Sequence, residues 1–376
     1  MMRPFGYFVH HQGRGHAERC AAIAHALPAA RPLTIFCARN DIFPDLPAQA
    51  EIIVIPSLFE RRGDEARTMD HIATPSSLHC APLGWPAIRS AMATITGWFD
   101  RADPALMICD VSAEIAQLAR ICSVPHVKIL QHGDRGDAGH QAAYAGAVGL
   151  LAPFHARLAQ AEWHDAMRAR ICFAGGLGVN TATIDRDAAR EWLGIAPDET
   201  LILVMAGGGG SGFAQAPLGV GARSTPDARW ITIGPVVRDW HATEPANIEH
   251  RGWVDNPATY IAAADMVISS AGNTICHQIL VAARPWLAIP EWRYFDEQHR
   301  KAMALEAAGV ATVRPYLPSS ASAWSQALAQ TRAAHRPVAQ RALIDEAPAV
   351  HTAAWLESLA GALWPAPIPK TLVHGA

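Results

Sequence analysis

Three short stretches of the sequence hold the residue types from which a chemical site is built. The first, Gly13-Arg14-Gly15-His16, falls between an apolar run and a helical one. It departs from the dinucleotide fingerprint G-x-G-x-x-G, because Glu18 stands where the third glycine would fall. What remains is a tight glycine turn that sets the His16 imidazole at the start of a helix. A neutral imidazole there accepts a proton from a hydroxyl near neutral pH, and the helix N-terminus favours that neutral form. The alternative is that His16 caps or packs the turn. Asp110 closes the run "ALMICD". At the same sheet edge its carboxylate either orients the imidazole and stabilises its protonated form, or caps the helix beginning near Ser112.

The second stretch is Gly207-Gly208-Gly209-Gly210-Ser211-Gly212, directly after "LILVMA". Without Cβ atoms, backbone N–H groups can encircle a phosphate, and Ser211 adds a hydroxyl donor. No Lys follows, so this is not a Walker loop; the plain reading is a flexible turn. The third stretch runs through Ser269-Ser270 into Ala271-Gly272-Asn273-Thr274, and later reaches Asp296-Glu297-Gln298. Amides at Gly272 to Thr274 open a helix, and such amides favour an anion over the sheet edge.

These residues need strands and helices to hold them. "FGYFVH", "PLTIFCA", "EIIVIP", "ALMICD" and "HVKILQ" alternate with alanine-rich helical stretches. A second series, "LILVMA", "WITIGP", "IEHRGWV", "MVISSA", "PWLAIP" and "VATVRP", starts near Leu201. Alternation of this kind predicts βαβ units around parallel sheets. The expectation is an α/β chain of two Rossmann-like halves. Residues 1–175 and 176–350 form the domains, joined near "RICFAGGLGVNT", and residues 351–376 form a last helix and tail.

Composition narrows the class. At 376 residues and half apolar, the chain is long enough for two cores. A formal charge of −3, with no Lys/Arg-rich run, gives no footprint for a nucleic acid polymer or an anionic membrane. Seven scattered cysteines without C-x-x-C spacing read as reduced thiols. The N-terminus lacks a signal-peptide pattern and no apolar run spans a bilayer, so a cytoplasmic protein is expected, with peripheral membrane contact still open. Oligomeric state is left open by the sequence. Asp185-Arg186-Asp187 superficially matches a D-x-D metal motif, but just before "AAREWLGI" a helix cap explains it better. No His/Cys spacing suggests zinc.

With those residues in hand, the sequence resembles the GT-B glycosyltransferases, in the branch containing the MurG N-acetylglucosaminyltransferases and the macrolide- and plant-type UDP-glycosyltransferases. The resemblance is carried by "AD-x-x-[IV]-x-x-x-G", "RPWLAIP" and "Q-x-x-x-A-x-x-L-E-x-A-G" from Gln298 to Gly309. It implies a GT-B fold with an interdomain cleft. It further implies metal-independent, inverting transfer from a nucleoside diphosphate sugar, such as UDP-glucose or UDP-N-acetylglucosamine, to a hydroxyl. The resemblance gives Gly207 to Ser211 and Gly272, Asn273 and Thr274 to the diphosphate, and Val254 to the uracil. Gln278 stands where the family has a ribose-gripping Glu, and Asp296, Glu297 and Gln298 match the loop that reads the sugar. His16 and Asp110 match the base and its partner. Gly13, Arg14, Gly15 and the loop Gln131-His132-Gly133-Asp134 fall on the acceptor side, with His132 a second base candidate. A UDP-sugar 2-epimerase of the same fold and a non-catalytic sugar-nucleotide-binding protein are the alternatives. The apolar stretch from Ser76 to Phe99 either lines an acceptor cleft or packs in the core, and the acceptor is left open.

Overall fold

The computed structural model describes residues 2–207, 210–238, 240 and 243–365. Seven short apolar runs form the first sheet: β1 (Phe5–Phe8), β2 (Leu33–Cys37), β3 (Ala50–Val54), β4 (Leu106–Cys109), β5 (His126–Ile129), β6 (Gly149–Ala152) and β7 (Ile171–Phe173). Their order is β3-β2-β1-β4-β5-β6-β7, with every pairing parallel. The second half contributes β8 (Thr200–Met205), β9 (Phe213–Ala214), β10 (Ala228–Ile233), β11 (Val236–Val237), β12 (Ile248–His250), β13 (Met266–Ser269), β14 (Trp286–Ala288) and β15 (Thr312–Val313). Six of these make a parallel sheet ordered β12-β10-β8-β13-β14-β15, while β9 and β11 pair separately.

Helices cover both faces of each sheet, which is why the central strands read as continuous apolar runs. β1, β4 and β13 are buried at every position. In the first half, helices Arg14–Ala26 and Pro348–Leu363 pack on one face, and Pro86–Ala102 and Ala113–Ile121 on the other. Trp98, Phe99, Ile95 and Ala91 of the Ser76–Phe99 stretch belong to that second core. In the second half, Trp230 and Trp324 meet edge to face at 5.4 Å beneath helix Ala321–Ala334.

The last helix crosses back to the first half. Ala353, Leu356 and Ala360 pack into the core of β1 and β2, Arg31 grips the Glu357 carboxylate with two nitrogens at 2.7 and 2.6 Å, and the Trp364 indole donates to the Ala105 carbonyl. A bidentate guanidinium–carboxylate pair fixes orientation as well as contact. Helix Arg186–Leu193 belongs with the second half, because Arg186 and Arg190 both pair with Asp265. Asp185 caps that helix through the Ala188 amide at 2.9 Å, and Asp187 is exposed in its first turn.

Strand order fixes where ligands can sit. In the first sheet the order reverses between β1 and β4, and in the second between β8 and β13. An open parallel sheet has its crevice at such a reversal, beyond the strands' carboxyl ends. His16 follows β1, Asp110 follows β4, Gly207 follows β8 and Gly272 follows β13. The topology thus brings these four to the two switch points, while the Gln131–Asp134 loop follows β5 and Asp296–Gln298 follows β14, each one strand away. Among the described residues no helix is long and apolar enough to cross a membrane, and all seven cysteines are free.

Candidate active site

At the first switch point Phe8 and Cys109 are register partners, so the chain leaves both strands side by side. Gly13 takes φ +95, a conformation open to glycine, and turns the chain into helix Arg14–Ala26. The His16 Nδ1 then lies 2.9 Å from Asp110 Oδ2. Asp110 is not the cap of the next helix, since Ser112 Oγ accepts from the Ile115 amide instead. Between the two stands Val111 with φ +65, a strained geometry for a β-branched residue. Lys128, buried in β5, donates to the carbonyl of Val111 at 3.0 Å and holds that turn.

Arg19, one turn along the helix from His16, was not singled out by the sequence. Its terminal nitrogen lies 2.8 Å from Asp110 Oδ2 and 2.9 Å from His16 Nδ1. The two contacts compete for one assignment, and the ionised carboxylate is the stronger acceptor. Nδ1–H and the guanidinium therefore both donate to Asp110, and the imidazole lone pair is left on Nε2. Burial alone would raise the Asp110 carboxyl, but the charges and hydrogen bonds of Arg19 and His16 outweigh it and hold it well below the usual carboxylate range. Asp110 is 0% exposed and Arg19 4%, whereas the His16 side chain keeps 18% of its surface. Nε2 of His16 has no hydrogen-bond partner among the described residues. Next to it His10 stacks between His11 and Phe59; burial, then the charge of His16, pushes His10 down to about 3.

His132, the second base candidate, lies elsewhere. It is fully buried against Phe154 and Trp163, and its Nε2 is bonded to the Leu158 carbonyl at 2.7 Å. That ring has no path to a hydroxyl in the cleft. Gln131 is half-buried outside the cleft lining. Asp134 uses its amide, not its carboxylate, to reach across the domains to the Phe295 carbonyl at 2.6 Å.

At the second switch point helix Asn273–Ala282 opens with no side-chain cap and no acid in its first turn. Its leading amides are thus available to an anion. Gly207 lines the cleft, but Gly210, Ser211 and Gly212 do not; Gly208 and Gly209 lie outside the described residues. A carboxylate the sequence did not single out explains this placement. Glu291, buried beneath the loop, accepts from the Gly212 amide at 3.0 Å and lies close against Gly210. Gln298 also does more than face a ligand, because its Oε1 accepts from the Ala271 and Glu291 amides, both at 2.9 Å. Asp296 points to His299 at 3.0 Å and does not line the cleft, whereas Glu297 does.

The two halves enclose a cleft of about 840 Å³. Gly13, Arg14 and Gly15 line one wall, and Val254, Gly272, Asn273, Thr274, Gln278, Glu297 and Gln298 the other. The walls approach closely, since a Cβ on Gly15 would lie 2.5 Å from Thr274 Oγ1. They are also tied together. Phe295 and Asp296 both have positive φ. The ring of Phe295 lies against His79, His140 and the Arg135 guanidinium, and Arg135 approaches Glu297 at 3.5 Å.

Among the described residues His79, Asp137 and His140 bring potential metal-ligating atoms within 4.8 Å of one another. Hydrogen bonding already accounts for this group. Asp137 caps helix Ala138–Gly146 through the His140 amide and takes His140 Nδ1–H at 2.6 Å. Arg135 lies 3.4 Å from His140 Nε2, and its charge opposes a cation.

Known proteins resemble this chain in part of its sequence and in its fold. Residues 235–334 match the glycosyltransferase family 28 C-terminal domain. An uncharacterized glycosyltransferase of Methanosarcina acetivorans is 33% identical over 98 residues, which is 26% of this chain. The match spans only a quarter of that curated relative's length. Solved structures align over nearly the whole chain. The glycosyltransferase of kitacinnamycin has a TM-score of 0.68 at 15% identity, over 96% of this chain and 100% of that one. Spinosyn forosaminyltransferase SpnP has 0.67 at 14%, with the same coverage. Phytolacca americana UGT2, solved with UDP-2-fluoro-glucose and pterostilbene, has 0.63 at 12%, over 95% and 100%. The chain has the GT-B fold, two Rossmann-like domains about a cleft.

Proposed function

We propose that this chain is a glycosyltransferase that moves a sugar from a nucleoside diphosphate sugar, with UDP as the nucleotide, to a hydroxyl of an acceptor. One observation carries the reading. A His16–Asp110 pair with an unbonded imidazole nitrogen follows directly on the Gly13–Gly15 turn that lines one wall of the cleft, and an uncapped helix N-terminus lines the other, each at its own sheet's switch point.

The reaction that fits is a single displacement with inversion at the anomeric carbon. The acceptor oxygen gives its proton to His16 Nε2 and bonds to that carbon while the bond from carbon to the β-phosphate oxygen breaks. Asp110 holds Nδ1–H and offsets the charge gained by the ring. The leaving diphosphate meets the amides of Gly272, Asn273 and Thr274, so its growing charge is stabilised by fixed dipoles and no metal is needed. Val254 and Gln278 line the same wall, and the reading gives them the base and the ribose. The family match over residues 235–334 supports sugar transfer, and support for UDP comes from the fold shared with an enzyme solved with a UDP-sugar.

The test is UDP release from UDP-glucose and UDP-N-acetylglucosamine in EDTA with a panel of hydroxyl acceptors. The product's anomeric configuration is read by NMR. His16→Ala is expected to lower transfer by roughly 10²–10⁴-fold with donor affinity kept. Full transfer by that variant would sink the base assignment.

A further inference from the structure

Buried charges in this chain are mostly matched. Arg19 meets Asp110, Arg190 meets Asp265 and Arg31 meets Glu357. Lys128 has no carboxylate but donates to three backbone carbonyls, those of Cys109, Val111 and Ile129. Lys301 is the exception. It sits on helix Glu297–Ala307 at 4% exposure. Among the described residues its ammonium has one hydrogen-bond partner, Asn273 Oδ1 at 2.8 Å, and no carboxylate within ion-pair distance. An ammonium carries three donors and a full charge, so one neutral amide leaves it uncompensated.

The partner it does have is informative. Asn273 is the first residue of the uncapped helix at the second switch point and lines the cleft. A lysine can only donate, so the contact identifies the Asn273 oxygen as the atom facing Lys301 and the NH2 as the atom turned away. That NH2 has only a long contact, 3.5 Å to His277 Nδ1. The cation, the oriented amide and the free first-turn N–H groups thus form one positive assembly; Glu297 on the same cleft wall acts on Lys301 through its charge, but its carboxylate approaches Arg135 at 3.5 Å and makes no ion pair with Lys301.

We propose that Lys301 is a positioning residue for an anionic ligand, the diphosphate of the sugar donor. It fixes the Asn273 carboxamide at the first turn of the helix that lines the cleft and adds a whole charge where the helix supplies a fractional one. This deepens the glycosyltransferase reading and rests on it. Lys301 is held in an unfavourable buried state until the ligand arrives, so removing its charge improves the empty protein and harms the complex.

Lys301→Met keeps the volume and removes the charge. Calorimetry with UDP, inorganic pyrophosphate and uridine, together with thermal melting of the unliganded protein, tests the idea. The expected result is a loss of roughly tenfold or more in affinity for UDP and pyrophosphate, unchanged uridine binding, and an unliganded Tm equal to or above that of the parent. Equal UDP affinity in both proteins, or an equal loss for uridine, would overturn the role while leaving the glycosyltransferase reading standing. A lowered unliganded Tm with unchanged pyrophosphate binding would mark Lys301 as structural. Failure of the parent protein to bind either UDP or pyrophosphate would overturn both readings.

Discussion

His16, Asp110 and Arg19 share one carboxylate oxygen, and the balance among them decides what the imidazole can do. With Arg19 present, Asp110 stays ionised in a fully buried position and still orients Nδ1–H. Asp110→Asn removes the charge that offsets the imidazolium and leaves Arg19 without its anion. Transfer is expected to fall by up to about 10⁴-fold with donor affinity held, and urea unfolding should report a loss of about 3–5 kcal/mol for breaking a buried pair. A variant that kept its rate would remove Asp110 from the mechanism. His16 and Asp110 were legible in the sequence because each ends a strand or opens a helix at a βα junction. Arg19 was not, since an arginine within a helix reads as a solvated residue until the strand order buries that face. Glu291 was hidden for a related reason, as nothing in "IPEWRY" says that its carboxylate turns back beneath a loop some 80 positions earlier.

At the scale of elements, most strands followed from apolar runs and their alternation with helices, whereas the strand order that sets the two switch points comes from the structure. β6 was missed because "GLLA" is four residues long and begins with glycine. β7 shows in the sequence only as a short run at the domain join, although it closes the first sheet. Contacts between halves left no local pattern at all. The approach of Gly15 to Thr274 is the clearest case, two turns from different sheets meeting across the cleft. Gly15→Ala places a methyl 2.5 Å from Thr274 Oγ1 in the present geometry. Either the threonine rotates or the walls part, and parting moves His16 from the helix N-terminus. A drop in transfer of roughly tenfold or more is expected, with recovery when Thr274→Ala is added. An unchanged rate in the single variant would show that the walls need not meet this closely.

For the whole molecule, the histidines set the response to acid. Burial pushes His10 and His277 to about 3, and His126 and His140 to about 4. Each is neutral in the fold and protonates at about 6.5 once unfolded. Folded values below unfolded ones mean stability that is complete above about pH 6.5 and is lost as pH falls toward 4. Each such histidine contributes a slope of roughly 1.4 kcal/mol per pH unit in that window. Asp110, also depressed, acts in the same direction but below about pH 4. Melting temperature should decline steeply from pH 6.5 to 4.5 and stay flat from 7 to 8. A flat profile through pH 5 would mean these rings are solvated.

The central claim is that the cleft is built for a nucleoside diphosphate sugar, and titration calorimetry in excess EDTA tests it most directly. UDP, UDP-glucose, UDP-N-acetylglucosamine, GDP-mannose and dTDP-glucose are compared with NAD as control. Saturable binding of UDP and a UDP-sugar without metal, and none of NAD, is the result expected. A folded protein that bound none of the five would contradict it, and would reduce the Gly207 loop and the Gly272 turn to structural turns on a shared fold.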